Sequence, residues 1–146
     1  MADIRISFDD ERVQNALSKL MRDIPKIVER PMMVTAQTVA GISQEHYLRG
    51  PRPDRLAVAT GRLRSSIRSK VEVKGEEVRG YVGTNVVSPD GFNYPAYWEF
   101  HGRRGKPRPF LTPARENHRD KWWGVFIKEL KKEMREYLNR LNKGMR

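Results

Sequence analysis

The chain contains no cysteine and only three histidines. Disulfides and thiolate zinc sites are therefore excluded. His46, His101 and His118 do not stand at the H-x-x-x-H or HExxH spacing that sets two imidazoles on one helix face. No apolar run approaches the roughly 18 residues needed to span a bilayer. The opening MADIRISFDD lacks the basic stretch followed by an apolar one that marks a secretory signal. The expectation is a chain that stays in the compartment where it is made, and the missing cysteines fit a reducing one. Internal repeats and low-complexity tracts are also missing. So are the phosphate-loop pattern G-x-x-x-x-G-K-[ST] and the nucleophile elbow G-x-S-x-G, the segment around Ser65 and Ser66 reading GRLRSSI. Glu99 and His101 would share a face if their stretch were a strand, but two titratable groups at that spacing are common by chance. No catalytic residue, metal site or cofactor is expected.

What the chain does have is positive charge, 29 Lys and Arg against 18 Asp and Glu, for a net charge of +11. Residues 1–48 are near neutral, with 6 basic against 7 acidic side chains. The excess lies in 49–79, with 9 against 4, and in 101–146, with 14 against 5. Such a surface attracts polyanions, whether nucleic acid or the acidic face of another protein. The length of 146 residues suits a single domain, with 49–60, 84–93 and 101–109 as exposed loops.

Periodicity supplies the elements. Ile4, Ile6 and Phe8 alternate with Arg5 and Ser7, the period of a short half-buried strand. Asp9 or Asp10 then caps a helix whose apolar face is Val13, Leu17, Leu20, Ile24 and Ile27. Pro25 and Pro31 predict a kink, or a second helix capped by Asp23. A small-residue stripe follows, Met33, Ala36, Ala40, Ser43 and Tyr47, suited to close packing, and the helix should end near Gly50. Thr60 is placed to cap a helical turn over GRLRSSI. Val71 and Val73, then Val78, Tyr81 and Val82, predict a hairpin turning at Gly75. A helix from about 112 to 142 closes the chain, with Trp123, Ile127, Leu130, Met134, Tyr137 and Leu141 along one face. The predicted fold is α+β: a small, mostly antiparallel sheet with a central hairpin, packed by two N-terminal helices and one long C-terminal helix.

Two features stand out as contact sites. Arg52 and Arg55 lie in the proline-bounded loop after Gly50. Arg103, Arg104, Lys106 and Arg108 lie in HGRRGKPRP, where glycines predict mobility. Next to the aromatics Tyr94, Tyr97, Trp98 and Phe100, the second loop could grip phosphates while rings stack on bases. The plainer reading is a loop that orders against a neighbouring subunit, with the aromatics in the core. No helix-turn-helix, zinc finger or RNA-recognition motif supports sequence-specific binding.

The order of short motifs carries further information. TGRLRSSI (60–67) is followed by a hairpin ending in GYVGTN (80–85), then YPAYWEFHG (94–102), PRPFLTPA (107–114) and a long helix. This run resembles the small tail-component family of tailed phages, the tail-completion, head–tail-joining or minor tail proteins. The matching residues are Gly61, Leu63, Ser66, Ile67, Gly83, Tyr94, Tyr97, Glu99, Gly102, Pro109, Phe110, Leu111 and Pro113. The chain departs from the pattern by SPDGF before Tyr94 and by His101 before the glycine. The resemblance implies a structural subunit of a phage or prophage virion, assembled in the host cytoplasm. It also implies a homo-oligomeric ring in the neck, partners among other neck and tail proteins, and possible non-specific contact with DNA. A sequence-independent nucleic-acid-binding protein is the alternative, and neither reading involves a membrane.

Overall fold

The structure, a computed structural model, describes residues 11–49 and 61–144. The expected strand at 4–8, its capping aspartates, Thr60, Arg52 and Arg55 lie outside them. The first element is helix α1, Glu11–Ile42, which passes into one π-helical turn, Ser43–Tyr47. A short helix α2, Arg62–Ser66, leads into strands β1, Arg68–Lys74, and β2, Glu77–Gly83. Helices α3, Tyr94–Phe100, and α4, Thr112–Glu116, precede the long α5, Arg119–Gly144. The class is α+β, with a two-stranded antiparallel sheet packed against helices.

Three expectations need correction. The N-terminal region is one helix, not two. Pro25 and Pro31 both lie inside α1 and are both buried. A proline in a helix interior costs about 3 kcal/mol. Burial of both rings works against that cost here. The C-terminal helix, conversely, is two. Asn117 ends α4, and the His118 carbonyl accepts the Lys121 and Trp122 amides at the start of α5. Finally, Trp122 rather than Trp123 packs on the core, against Val39, Ile42 and Ala114. Trp123 is 49% exposed. The rest of the expected face holds: Ile127, Leu130, Met134 and Leu141 are half-buried and Tyr137 is buried.

The hairpin matches its pattern. Val73 faces Val78 and Lys74 faces Glu77 across a two-residue turn. Gly75 sits there at φ 59°, the left-handed first position such a turn requires. Residues 84–93 form a loop. The turn ahead of α2 is made by Gly61, at φ 71°, without a side-chain cap.

The core is built on the small-residue stripe. Ala36, Ala40 and Ser43 are buried, which lets other segments approach α1 closely. Leu48 is fully buried at the end of the π-helical turn, its amide donating to the Ser43 carbonyl at 3.0 Å. The N-terminal half of α1 pairs with α5 instead. Tyr137 Oη donates to Asp23 at 3.0 Å, and Arg30 reaches Glu133 at 3.5 Å.

Candidate interaction surface

The four motif segments come together, and they do so mostly on the inside. Leu63 and Ile67 from the first, and Phe110 from the last, share one buried cluster with Ala40 and Leu48. Tyr94 and Leu111 pack against it. The first two motifs are joined by hydroxyls. Ser66 Oγ donates to the Leu63 carbonyl at 2.7 Å and meets Thr84 Oγ1 at 2.6 Å, and Thr84 in turn accepts the Val86 amide. Gly83 ends β2 opposite Arg68.

The last two motifs are joined by Glu99. This carboxylate is buried at the end of α3 and accepts three backbone amides. They are those of Phe110 at 2.8 Å, Leu111 at 3.1 Å and Thr112 at 2.7 Å. These are free donors at the start of α4, where a negative charge is favoured. Burial pushes the Glu99 carboxyl upward, but the bonds from Phe110, Thr112 and Leu111 outweigh it and hold the group below its usual range. The strand that would align Glu99 with His101 does not form. Glu99 is on a helix that Asn93 caps through the Ala96 amide. His101 lies past the end of that helix, exposed and stacked on Tyr97.

Gly102 ends α3 in the left-handed region, at φ 67°, with its amide 2.8 Å from the Tyr97 carbonyl. A Cβ there would stand 1.8 Å from the Lys106 carbonyl oxygen, so only glycine fits. The loop it opens contains a tight turn. Arg104 and Gly105 take φ values of 56° and 68°, and the Lys106 amide donates to the Arg103 carbonyl at 3.1 Å. Two consecutive positive φ values close the tight turn usual in hairpins. Backbone geometry thus gives this glycine-containing loop a defined turn. Arg103, Arg104 and Lys106 stand exposed on it. Arg108 is drawn back from this group. Its amide donates to the Trp98 carbonyl, and its guanidinium lies 5.7 Å from the Trp98 ring centre. Pro109 is exposed, and Pro113 lies half-buried within α4.

The aromatics divide accordingly. Tyr94 serves the core, whereas Phe92 and Phe100 are 51% and 69% exposed. Tyr97 bridges Phe92, Trp98 and His101 with ring centres 5.4–6.3 Å apart. The expectation that these aromatics serve mainly as core therefore fails at Phe100. The row from Phe92 through Tyr97 to Trp98 and His101 is only partly covered.

A second cluster has no sequence signal. The Tyr47 hydroxyl lies 3.1 Å from His118 Nε2, and the His46 and His118 ring centres are 5.1 Å apart. Tyr47 and His118 are 71 positions apart, so no local spacing could reveal them. Among the described residues, no three His, Cys, Asp or Glu side chains group as a metal would require. None of the described helices is long and apolar enough to cross a membrane. Comparison with protein-family models, with curated proteins and with solved structures found no match.

Proposed function

We propose that this chain is a structural virion-assembly subunit of a tailed phage or prophage, acting in tail completion or head–tail joining, with no catalytic role. The observation that carries the reading is the placement of large apolar side chains. They stand exposed on several elements: Phe92 in the loop before α3, Phe100 at the end of α3, Val73 and Tyr81 on the hairpin, and Trp123 and Leu138 on α5. A closed ring of identical subunits needs two unlike complementary surfaces on each. Exposed apolar side chains in several regions are the usual material of such contacts. Among the described residues the sheet has two strands, and neither outer edge of the hairpin pairs with a further strand. The motifs that suggest the family support the reading in another way: they join to build one core, as a shared module would.

The test is incorporation. Native mass measurement of the chain, alone and with its neck and tail partners, should show it entering an oligomer. Phe100→Glu should block this while leaving the fold intact, because Phe100 contributes little to the core. A wild-type chain that stays strictly monomeric and never enters particles overturns the proposal.

One observation favours the alternative of sequence-independent nucleic-acid binding. Arg104 holds a left-handed backbone that is uncommon outside glycine, asparagine and aspartate. The turn it helps close projects three cations outward. Contacts of this kind position a phosphate backbone without reading sequence. Binding of duplex DNA at about 50 mM salt, lost when Arg103, Arg104 and Lys106 are neutralised, supports that reading. Absence of binding at that salt removes it.

A further inference from the structure

The side chains of β2 alternate between two faces, and its backbone groups alternate between two edges. Lys74 and Glu77 pair across the two-residue turn, so Glu77, Arg79, Tyr81 and Gly83 direct their amides and carbonyls to β1. Those of Val78, Gly80 and Val82 point to the other edge. Among the described residues no further strand pairs with that edge. Gly80 is exposed there, and its inner face lies over α1, where a Cβ would stand 2.9 Å from the Met32 sulfur. A groove of about 600 Å³ is lined by residues 79–82 and by none of β1. Residues of both faces of β2 border it, which places it along the edge turned away from β1. Met32, Ala36 and Val39 of α1 also line it, as do Leu111, Arg115 and Trp122 around α4 and α5. Two arginines, Arg79 and Arg115, are in this lining, and no carboxylate is.

We propose that this groove takes an extended segment of a partner protein that alternates apolar with acidic residues, adding it beside β2 as a third strand. Backbone bonds to Val78, Gly80 and Val82 hold such a segment, and the surfaces around it select its side chains. Alternate side chains of an added strand turn to the same face as Gly80 and Val82. They meet Met32, Ala36 and Val39 and are therefore apolar. The others turn to the exposed face that carries Arg79, with Arg115 also lining the groove, and are therefore acidic. Arg79 already pairs with Glu77 at 2.8 Å, and Arg115 with Glu116 at 3.1 Å. Exposed pairs of this kind contribute little, so either arginine can take a partner's carboxylate at small cost. The net charge of +11 draws an acidic segment in the same sense. The docking surface follows from the geometry of the groove and holds whether or not the chain enters a virion.

Amide hydrogen exchange, followed by NMR on the full chain, reads this edge directly. In the free protein Gly80 and Val82 should exchange at least about tenfold faster than Arg79 and Tyr81, whose amides are bonded to β1. The probe is a short acetylated and amidated peptide that alternates valine with glutamate. It should bind with a Kd below about 1 mM. At saturation it should slow exchange at Gly80 and Val82 at least about tenfold. The same peptide with lysine in place of glutamate should bind at least about tenfold more weakly. Arg79→Glu combined with Arg115→Glu, both at exposed positions, should reverse that preference. A Kd above about 1 mM, equal binding of the two peptides, or binding that leaves Gly80 and Val82 unprotected overturns the proposal. So does slow exchange of these two amides in the free protein. If that protection is independent of concentration, the chain's own residues hold the edge, and if it rises with concentration, a second copy does.

Discussion

The carboxylate of Glu99 and the amide of Phe110, 2.8 Å apart, fasten the end of α3 to the start of α4. Leu111 and Thr112 add their amides to the same carboxylate. The contact turns two sequence motifs into one structural unit and holds Phe110 in the centre of the core. It also fixes both ends of the segment that carries the cationic turn.

Replacing Glu99 by Gln should destabilise the protein by about 1–3 kcal/mol, since buried amides then face a group that cannot accept from all of them. The wild-type contribution depends on pH. The folded carboxyl titrates below its unfolded value. Its contribution is therefore fully present above about pH 4.3 and is lost as pH falls through the folded value. Chemical denaturation from pH 3 to pH 7 should show a smaller pH dependence in the variant. Identical profiles would mean that the three bonds contribute nothing.

Gly102→Ala should be among the most damaging single changes in the chain. The new methyl meets backbone at Lys106 and Pro107, which cannot move aside as a side-chain end could. Together with the left-handed φ, a loss of at least about 2–3 kcal/mol is expected. Thermal denaturation measures it. Gly75→Ala, where open space surrounds the site, should cost less, about 1 kcal/mol from the φ alone.

Ser43→Ala should stabilise. The Ser43 hydroxyl is fully buried and has no hydrogen-bond partner among the described residues. A buried hydroxyl without a partner carries a desolvation penalty, so its removal should add about 1 kcal/mol, or roughly 3 °C in Tm. A lower Tm would show that the hydroxyl is bonded in solution.

The two adjacent tryptophans should separate cleanly. Trp122 packs on Val39, Ile42 and Ala114, and its indole N–H donates to the Arg115 carbonyl at 2.7 Å. Trp122→Ala should cost about 2–4 kcal/mol. Trp123 is half exposed and stacks on Phe126. Trp123→Ala should change stability by less than about 1 kcal/mol and is better examined for its effect on assembly. Urea midpoints compare the pair.

Much of the fold follows from local rules. The stripe of Ala36, Ala40 and Ser43 reads as a packing face and is one, because a helix of small residues admits its neighbours closely whatever they are. The hairpin reads correctly because Gly75 and its flanking valines act within ten residues. The structure brings Leu63, Ile67, Phe110 and Leu111 to one core cluster, which no local period of these residues predicts. The cationic turn is legible in composition but not in conformation, since glycine permits either sign of φ. Gly102 takes the positive one.

The sequence by itself determined the helical and strand periods, the hairpin turn, the α+β class and the uneven positive charge. These depend on residues within a few positions of one another. Only the tertiary structure decided that α1 runs through Pro25 and Pro31, that Trp122 and not its neighbour turns inward, and that Glu99 binds backbone amides beyond the turn. It also brought Tyr47 to His118. Each of these outcomes compares a local cost with the gain from burying or pairing groups far apart in the chain. That comparison is made only when the distant partners have arrived.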